Sequence, residues 1–184
     1  MIIVKSIVDI PPLSPPLGLT LGTFDGIHLG HQHLLRELRQ KVTDKGTLAL
    51  ITFTEHPAEV LKNRPPQPMI YNQETKMKLL EQQGVDLVIL LDFSPKIFNL
   101  SFDEFIQNIR NYYPFTQLVL GKGSAFGKNR MGDELQIKQL GMQMGFEAHY
   151  IEKIKKKGEL ISSGYIRELL KKGDLSGAAE LLGR

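Results

Sequence analysis

Residues 17–53 read LGLTLGTFDGIHLGHQHLLRELRQKVTDKGTLALITF. The stretch divides into three parts. Leu17 to Thr23 is a short β-rich run ending on glycine. Leu29 to Lys45 places Leu34, Leu35, Leu38 and Val42 at helical spacing and closes on Gly46, a natural helix stop. Thr47 to Phe53 is almost continuously apolar. Strands apolar on both faces, joined by a helix, make a βαβ unit and require a parallel sheet. The pattern continues outward. Strands are expected at Val85–Leu91, Gln117–Gly121 and Phe146–Ile151, and the opening MIIVKSIVDIPP reads as a further strand. Helices are expected at 74–83, 102–112, 133–144, 162–172 and 175–182. The expected class is α/β: a Rossmann-like, doubly wound parallel sheet with helices on both faces. Such sheets bind ligands beyond the carboxyl ends of their strands, where the strand order reverses. Chemistry is therefore expected in the loops after Thr23, Phe53, Leu91, Gly121 and Ile151.

Composition narrows the function. The chain has 184 residues, 41% hydrophobic and 23% charged, which is ordinary globular usage and excludes wholesale disorder. It contains no cysteine, so disulfides, thiolate zinc sites, iron–sulfur clusters and cysteine nucleophiles are excluded. A reducing, cytoplasmic setting fits. No apolar run approaches the ~20 residues that span a bilayer, so no membrane partner is expected. Twenty-three Lys and Arg against 20 Asp and Glu give +3. That balance suits anionic small molecules rather than nucleic acid. Tyr112, Tyr113 and Phe115 are not interleaved with a basic stripe and read as packing around a helix end. Prolines cluster at Pro11–Pro16 and Pro65–Pro68, marking two loops.

Four loops carry candidate chemistry. The first holds Gly22, Thr23, Phe24, Asp25, Gly26, His28 and His31. Gly22 and Gly26 permit a tight turn and close approach to a ligand. His28 and His31, three apart, share one face of a helix start, where free N–H groups and the dipole suit phosphate. A metal pair and incidental histidines are the alternatives; His33 lies on another face. The second loop places His56 and Pro57 after a strand, which alone also fits a plain turn. The third, Ile161-Ser-Ser-Gly-Tyr-Ile-Arg167, opens a helix. Ser162 reads as an N-cap, and Ser162, Ser163 and Arg167 suit a triphosphate. Lys153, Lys155, Lys156 and Lys157 before it form either a mobile basic loop or a solvated surface. The fourth, Gly121-Lys-Gly-Ser-Ala-Phe-Gly-Lys-Asn-Arg130, fails the P-loop spacing, and Asn129 replaces the hydroxyl residue. Phe126 stands where a dinucleotide fingerprint needs glycine. A glycine-rich loop including Gly121, Gly123, Ser124, Phe126 and Lys128 still suits a ligand cradle.

Taken together these residues resemble a known family. Gly22-Thr-Phe-Asp-Gly-Ile-His-Leu-Gly-His31 resembles the HxGH signature of nucleotidyltransferases. Thr52-Phe-Thr-Glu-His-Pro57 resembles the TFxPHP segment of bacterial FAD synthetases. Gly84-Val-Asp-Leu-Val through Phe93, with Leu100-Ser-Phe-Asp-Glu-Phe105, is similar to that family's middle stretch. Ile161–Arg167, Gly173-Asp-Leu and Leu181-Leu-Gly-Arg184 resemble its SSTRIR and LLGR ending. The resemblance implies an FMN adenylyltransferase, making FAD and pyrophosphate from the substrates FMN and ATP with Mg2+. It implies that His28 and His31 bind the α-phosphate and transition state, and that Ser162, Ser163 and Arg167 hold the β- and γ-phosphates. Gly22 to Gly26 would line the ATP pocket. His56, Pro57 and the Gly121–Gly127 loop would border the flavin. Mg2+ would ride on the phosphates, with no protein metal site.

The chain departs from the family pattern at Glu55, Gly123, Ser124, Gly164 and Tyr165. Gly123 and Gly164 remove polar side chains near the phosphates, and Tyr165 replaces an arginine. Loss of one such group costs ~2–4 kcal/mol of transition-state stabilisation. A non-catalytic flavin or nucleotide binder, and a transferase for another phosphate acceptor, follow as alternatives. Related chains commonly continue past the LLGR segment into a riboflavin kinase barrel, which 184 residues do not accommodate. The expectation is one adenylyltransferase domain over residues 1–184, without riboflavin phosphorylation; oligomeric state is not legible.

Overall fold

The computed structural model describes residues 1–61 and 68–184. The proline cluster falls partly outside them, at Pro65 and Pro66. In chain order the elements are β1 (Ile2–Val4), β2 (Leu17–Leu21), α1 (Leu29–Val42), β3 (Thr47–Phe53) and the short α2 (Pro57–Val60). There follow α3 (Gln73–Gln82), β4 (Leu87–Leu91), the short α4 (Pro95–Phe98), α5 (Phe102–Arg110) and β5 (Gln117–Gly121). The chain closes with α6 (Glu134–Met144), β6 (Glu147–Ile151), β7 (Lys155–Lys156), β8 (Glu159–Leu160), α7 (Ser163–Lys171) and α8 (Leu175–Leu182).

The main sheet is six-stranded and parallel, in the order β1-β4-β3-β2-β5-β6. From β2 the chain winds outward through β3 and β4, then returns to the other side of β2 to lay down β5 and β6. The order therefore reverses between β2 and β5, which makes the expected doubly wound sheet and puts the crevice at their carboxyl ends. Every residue of β3 and β4 is buried. One face of the sheet packs Leu19, Ile51 and Ile89 against Phe105, Ile109 and Ile137 of α5 and α6. The other packs Leu48, Leu50 and Val88 against Leu35, Leu38 and Leu80 of α1 and α3. Gly18 permits the close approach of α1 to β2, since a Cβ there would lie 2.4 Å from Val42 Cγ1.

Element ends differ from expectation for local reasons. β2 stops at Leu21; the N–H of Gly22 still donates to the carbonyl of Ile51 (3.0 Å), and Phe24 then turns into left-handed backbone. α1 stops at Val42 because Thr43 leaves helical geometry at φ 59°. The lysine run was not legible as structure. Lys155–Lys156 pairs antiparallel with Glu159–Leu160 across Lys157 and Gly158, both at positive φ, the geometry of a two-residue hairpin turn. Lys156 and Lys157 reach Glu180 of α8 at 3.3 and 2.7 Å. Tyr113 and Phe115 pack in the core, whereas Tyr112 is exposed.

A third, smaller core joins α7 and α8 through Ile161, Ile166, Ala178, Leu181 and Leu182. Leu29, Ile70 and Tyr71 pack against it, so the two last helices dock over the start of α1.

Candidate active site

The loop from Gly22 to His28 crosses the carboxyl end of β2 in a conformation that its sequence disfavours. Phe24 and Ile27 take φ of 47° and 42°, a region costly for bulky and β-branched residues. Gly26 sits at φ 79°, and a Cβ there would meet Ile70 at 2.8 Å. Surrounding contacts fix this shape. Ser163 Oγ donates to the carbonyl of Asp25 (2.9 Å). Gln32 Nε2 donates to the carbonyls of Ile27 and Leu182, both at 2.9 Å. Arg184 donates to the carbonyls of Gly26 and Ile27 while its guanidinium lies over Tyr71 at 5.1 Å.

The loop delivers His28 to the N-cap of α1. The backbone N–H of His31 donates to Nδ1 of His28 (3.3 Å), so neutral His28 carries its proton on Nε2. The rings of His28 and His31 stack at 3.7 Å between centroids and 13° between planes. Phe24 also packs on His31, at 4.7 Å between ring centroids and 32° between planes. Gly30 makes room for the pair: a Cβ there would lie 3.1 Å from His28 ring atoms. Burial, the dominant cause, lowers the His28 pKa to about 4, with Arg184 adding repulsion. Burial and the charges of His28 and Lys76 hold His31 well below its ordinary value. Both rings are therefore neutral hydrogen-bonding groups near pH 7. His31 Nδ1 is buried with no hydrogen-bond partner among the described residues.

Beneath this pair lies a buried charge cluster. Asp25, 1% exposed, accepts from Arg167 Nη2 at 2.5 Å and from the backbone N–H of Ile70 at 2.9 Å. Arg167 Nε also donates to the carbonyl of Pro68 (3.0 Å). Lys76, 2% exposed, donates to Thr52 Oγ1 at 2.6 Å. Burial lowers its pKa to about 8, opposed by Asp25.

The sequence-derived residues divide into groups. Gly22, Thr23, Phe24, Asp25, Gly26, His28, His31, Ser163 and Arg167 lie in one connected network with Thr52. Ser162 caps α7 by accepting from the N–H of Tyr165 (3.2 Å). Ser163 and Arg167 are directed at the Asp25 loop, an arrangement that a phosphate-binding motif alone does not foretell. His56 and Pro57 lie at α2, after β3. Gly121 ends β5, and Gly123, Ser124, Phe126 and Lys128 follow it, beside the carboxyl end of β2. Gly123 is at φ 79°, and an open depression beside it is lined by Lys122, Ser124, Asp133 and Glu134. His33 turns away toward Glu37 (3.9 Å). Among the described residues no group of three or more His, Asp or Glu is placed to hold a metal ion.

Lys76 and Arg184 are the site residues that the sequence reading missed. A signal existed for Lys76: it lies four residues before Leu80, in phase with the buried face of α3. Arg184 stands in the LLGR segment, but its role was not legible there, because its partners are backbone carbonyls distant in sequence.

Comparison with known proteins adds independent constraints. The model of the FAD synthetase family matches residues 12–165. A bifunctional riboflavin kinase/FMN adenylyltransferase from Bacillus subtilis is 34% identical over 177 residues, covering 90% of this chain and 53% of that protein. One of the same description from Buchnera aphidicola (Acyrthosiphon pisum strain) is 31% identical, covering 100% and 59%. The chain thus spans little more than half the length of these curated relatives. A crystal structure from Streptococcus pneumoniae described as a macrolide-efflux protein superposes with TM-score 0.85 at 29% identity, covering 99% of this chain and 59% of that one. No helix among the described residues is long and apolar enough to cross a membrane. Pantoate-beta-alanine ligase from Francisella tularensis, solved with an ATP analogue, shares the fold at TM-score 0.58 and 13% identity, covering 100% and 85%.

Proposed function

The chain belongs to the FAD synthetase family, and from that premise we propose that it joins FMN to the AMP portion of ATP, giving FAD and pyrophosphate. The observation that carries this reading is the neutral, stacked His28–His31 pair on the first turn of α1, at the switch point between β2 and β5. A terminal oxygen of the FMN phosphate attacks the α-phosphorus of ATP. A new P–O bond forms as the bond to the bridging oxygen breaks, and pyrophosphate leaves in line. Such a reaction asks the protein for positioning and charge stabilisation rather than covalent chemistry.

The residues divide that work. His28 Nε2–H and the free N–H groups of the first turn of α1 meet the α-phosphate as charge builds there. Gly30 keeps that turn open. His31 supports His28 by stacking and lines the same end of the crevice. Ser162, Ser163 and Arg167 wall the β,γ-phosphate side, and Ser163 and Arg167 also hold the Asp25 loop that shapes the ATP pocket. His56, Pro57 and the Gly121–Lys128 loop border the flavin side. Mg2+, carried on the nucleotide's phosphates, would neutralise part of their charge. A cytoplasmic, nucleic-acid-independent enzyme over residues 1–184 completes the reading.

The departures at Glu55, Gly123, Ser124, Gly164 and Tyr165 favour one alternative, a binder with little turnover, because two polar side chains are missing from the phosphate and flavin loops. Incubation of the chain with FMN, ATP and Mg2+ decides between them. FAD and pyrophosphate formed in equal amounts are expected. Flavin bound without pyrophosphate release, at the level of a His28→Ala/His31→Ala control, would overturn the proposal. Pyrophosphate released only with another phosphate acceptor would move the activity to that acceptor.

A further inference from the structure

Among the described residues, Lys76 carries more charge than its neighbours balance. It projects from α3 into the interior, where Nζ donates to Thr52 Oγ1 (2.6 Å). Thr52 Oγ1 donates in turn to the carbonyl of Thr23 (3.1 Å), linking the ammonium to the start of the Gly22–His28 loop. The carboxylate in electrostatic reach is Asp25, and its two oxygens are engaged by Arg167 and by the N–H of Ile70. The titratable group facing it from α1 is His31, which its environment keeps uncharged. Among the described residues, two buried cations, Lys76 and Arg167, therefore lie around one buried carboxylate. A buried ammonium is costly unless an anion or several strong acceptors accompany it. A hydroxyl is a weak substitute. The cluster lies beside the His28–His31 end of the proposed ATP site.

We propose that Lys76 is a positioning residue for adenylyl transfer: its ammonium supplies the unbalanced positive charge that the nucleotide's phosphates complete, and its bond to Thr52 anchors the Gly22–His28 loop around them. At 2% exposure it acts through that charge and through Thr52, without touching the substrate. The inference rests on the proposed ATP site. It has a consequence that a packing role lacks. When phosphate charge arrives, the ammonium gains a counter-ion and holds its proton more tightly. ATP binding at a pH near the ammonium's own titration then draws a proton from solution, whereas ATP itself is fully ionised there.

Calorimetric titration of ATP into the intact protein, at pH 7.0 and 8.5 in buffers of different ionisation enthalpy, reads that proton. The expected result is proton uptake at pH 8.5 that largely disappears at pH 7.0. Lys76→Arg, which keeps a charge that does not titrate in this range, should retain ATP affinity within about threefold and show no uptake. Lys76→Met should raise KM for ATP at least tenfold and leave KM for FMN nearly unchanged. Uptake at pH 8.5 that persists in Lys76→Arg would overturn the proposal, as would wild-type KM for ATP in Lys76→Met. Should Lys76→Met fail to fold, the arginine variant alone decides. A parallel FAD-forming assay separates the two levels. Wild-type protein that makes FAD without linked uptake defeats the role of Lys76 alone. Protein that neither binds ATP nor makes FAD defeats the site assignment, and this inference with it.

Discussion

The two ends of the same parallel sheet are built on opposite principles. At the amino end, polar groups close on one another. Asp86 accepts from Arg39 Nη2 (2.6 Å) and from the N–H of Leu48 (2.8 Å), and Arg39 also reaches the carbonyls of Gly46 and Gly84. The Tyr113 hydroxyl lies 3.1 Å from the carbonyls of Gly18 and Thr47, tying α5's end to β2 and β3. At the carboxyl end, His31 Nδ1 lacks a partner among the described residues, two buried cations lie around Asp25, and Phe24 and Ile27 stand in left-handed backbone. One end is complete in itself and serves stability. The other is left strained and electrostatically incomplete, the condition expected where a ligand finishes the structure.

Four perturbations sharpen or break this contrast. The largest effect is expected from Arg167→Met, which leaves Asp25 buried without its ion-pair partner; removing one partner of a buried pair costs about 3–5 kcal/mol. Urea denaturation should show the loss, and ATP should recover little of it. A loss under 1 kcal/mol would mean that the Asp25 loop holds without the ion pair.

Next in size is the loss of catalysis in His28→Ala. Removal of one donor to a developing charge lowers turnover about 10²–10³-fold. Pyrophosphate release should fall that far, with stability lowered by about 1 kcal/mol through the lost N-cap of α1, and an effect on KM for ATP alone would reassign His28 to binding.

Third is the response to acid. The unfolded His28 titrates at its ordinary 6.5 and the folded one at about 4. Between those values the unfolded state binds more protons. The stability held by neutral His28 is therefore complete above about pH 6.5 and drains away as pH falls toward 4, by roughly 3 kcal/mol. His31 acts in the same direction. Melts at pH 7.5 and 4.5 should reveal the loss, and His28→Gln should show a smaller one. An equal loss in the variant would assign the acid sensitivity to other groups.

The smallest effect belongs to the amino end. Tyr113→Phe removes a hydrogen bond to a sheet carbonyl, worth about 1 kcal/mol. Stability should drop by that amount and FAD formation should not change. A kinetic effect would show that the two ends communicate through the sheet.

Much of this was legible from local pattern. Unbroken apolar runs such as Thr47–Phe53 and Gln117–Gly121 gave buried parallel strands with correct bounds, because a strand covered on both faces leaves no polar position. Ser162 announced a helix start by its capping chemistry; Asp133 and Asp174 cap α6 and α8 in the same way, each accepting from a first-turn N–H. The β7–β8 hairpin was hidden because its strands are two residues long and made largely of lysine and glutamate, with no alternation to read.

Local pattern was enough for the α/β winding, the loops at the carboxyl ends of the strands and the pairing of His28 with His31. These follow from periodicity and from three-residue spacing on a helix, which are properties of a chain read locally. Three-dimensional packing was needed to bury Lys76 near Asp25, to bring Ser163 and Arg167 across about 140 residues onto the loop, and to set Arg184 on Gly26 and Ile27. The physical reason is that the charge state of a group and the cost of a strained backbone depend on what surrounds them. Those neighbours come together only when α3, α7 and α8 converge on the carboxyl end of the sheet.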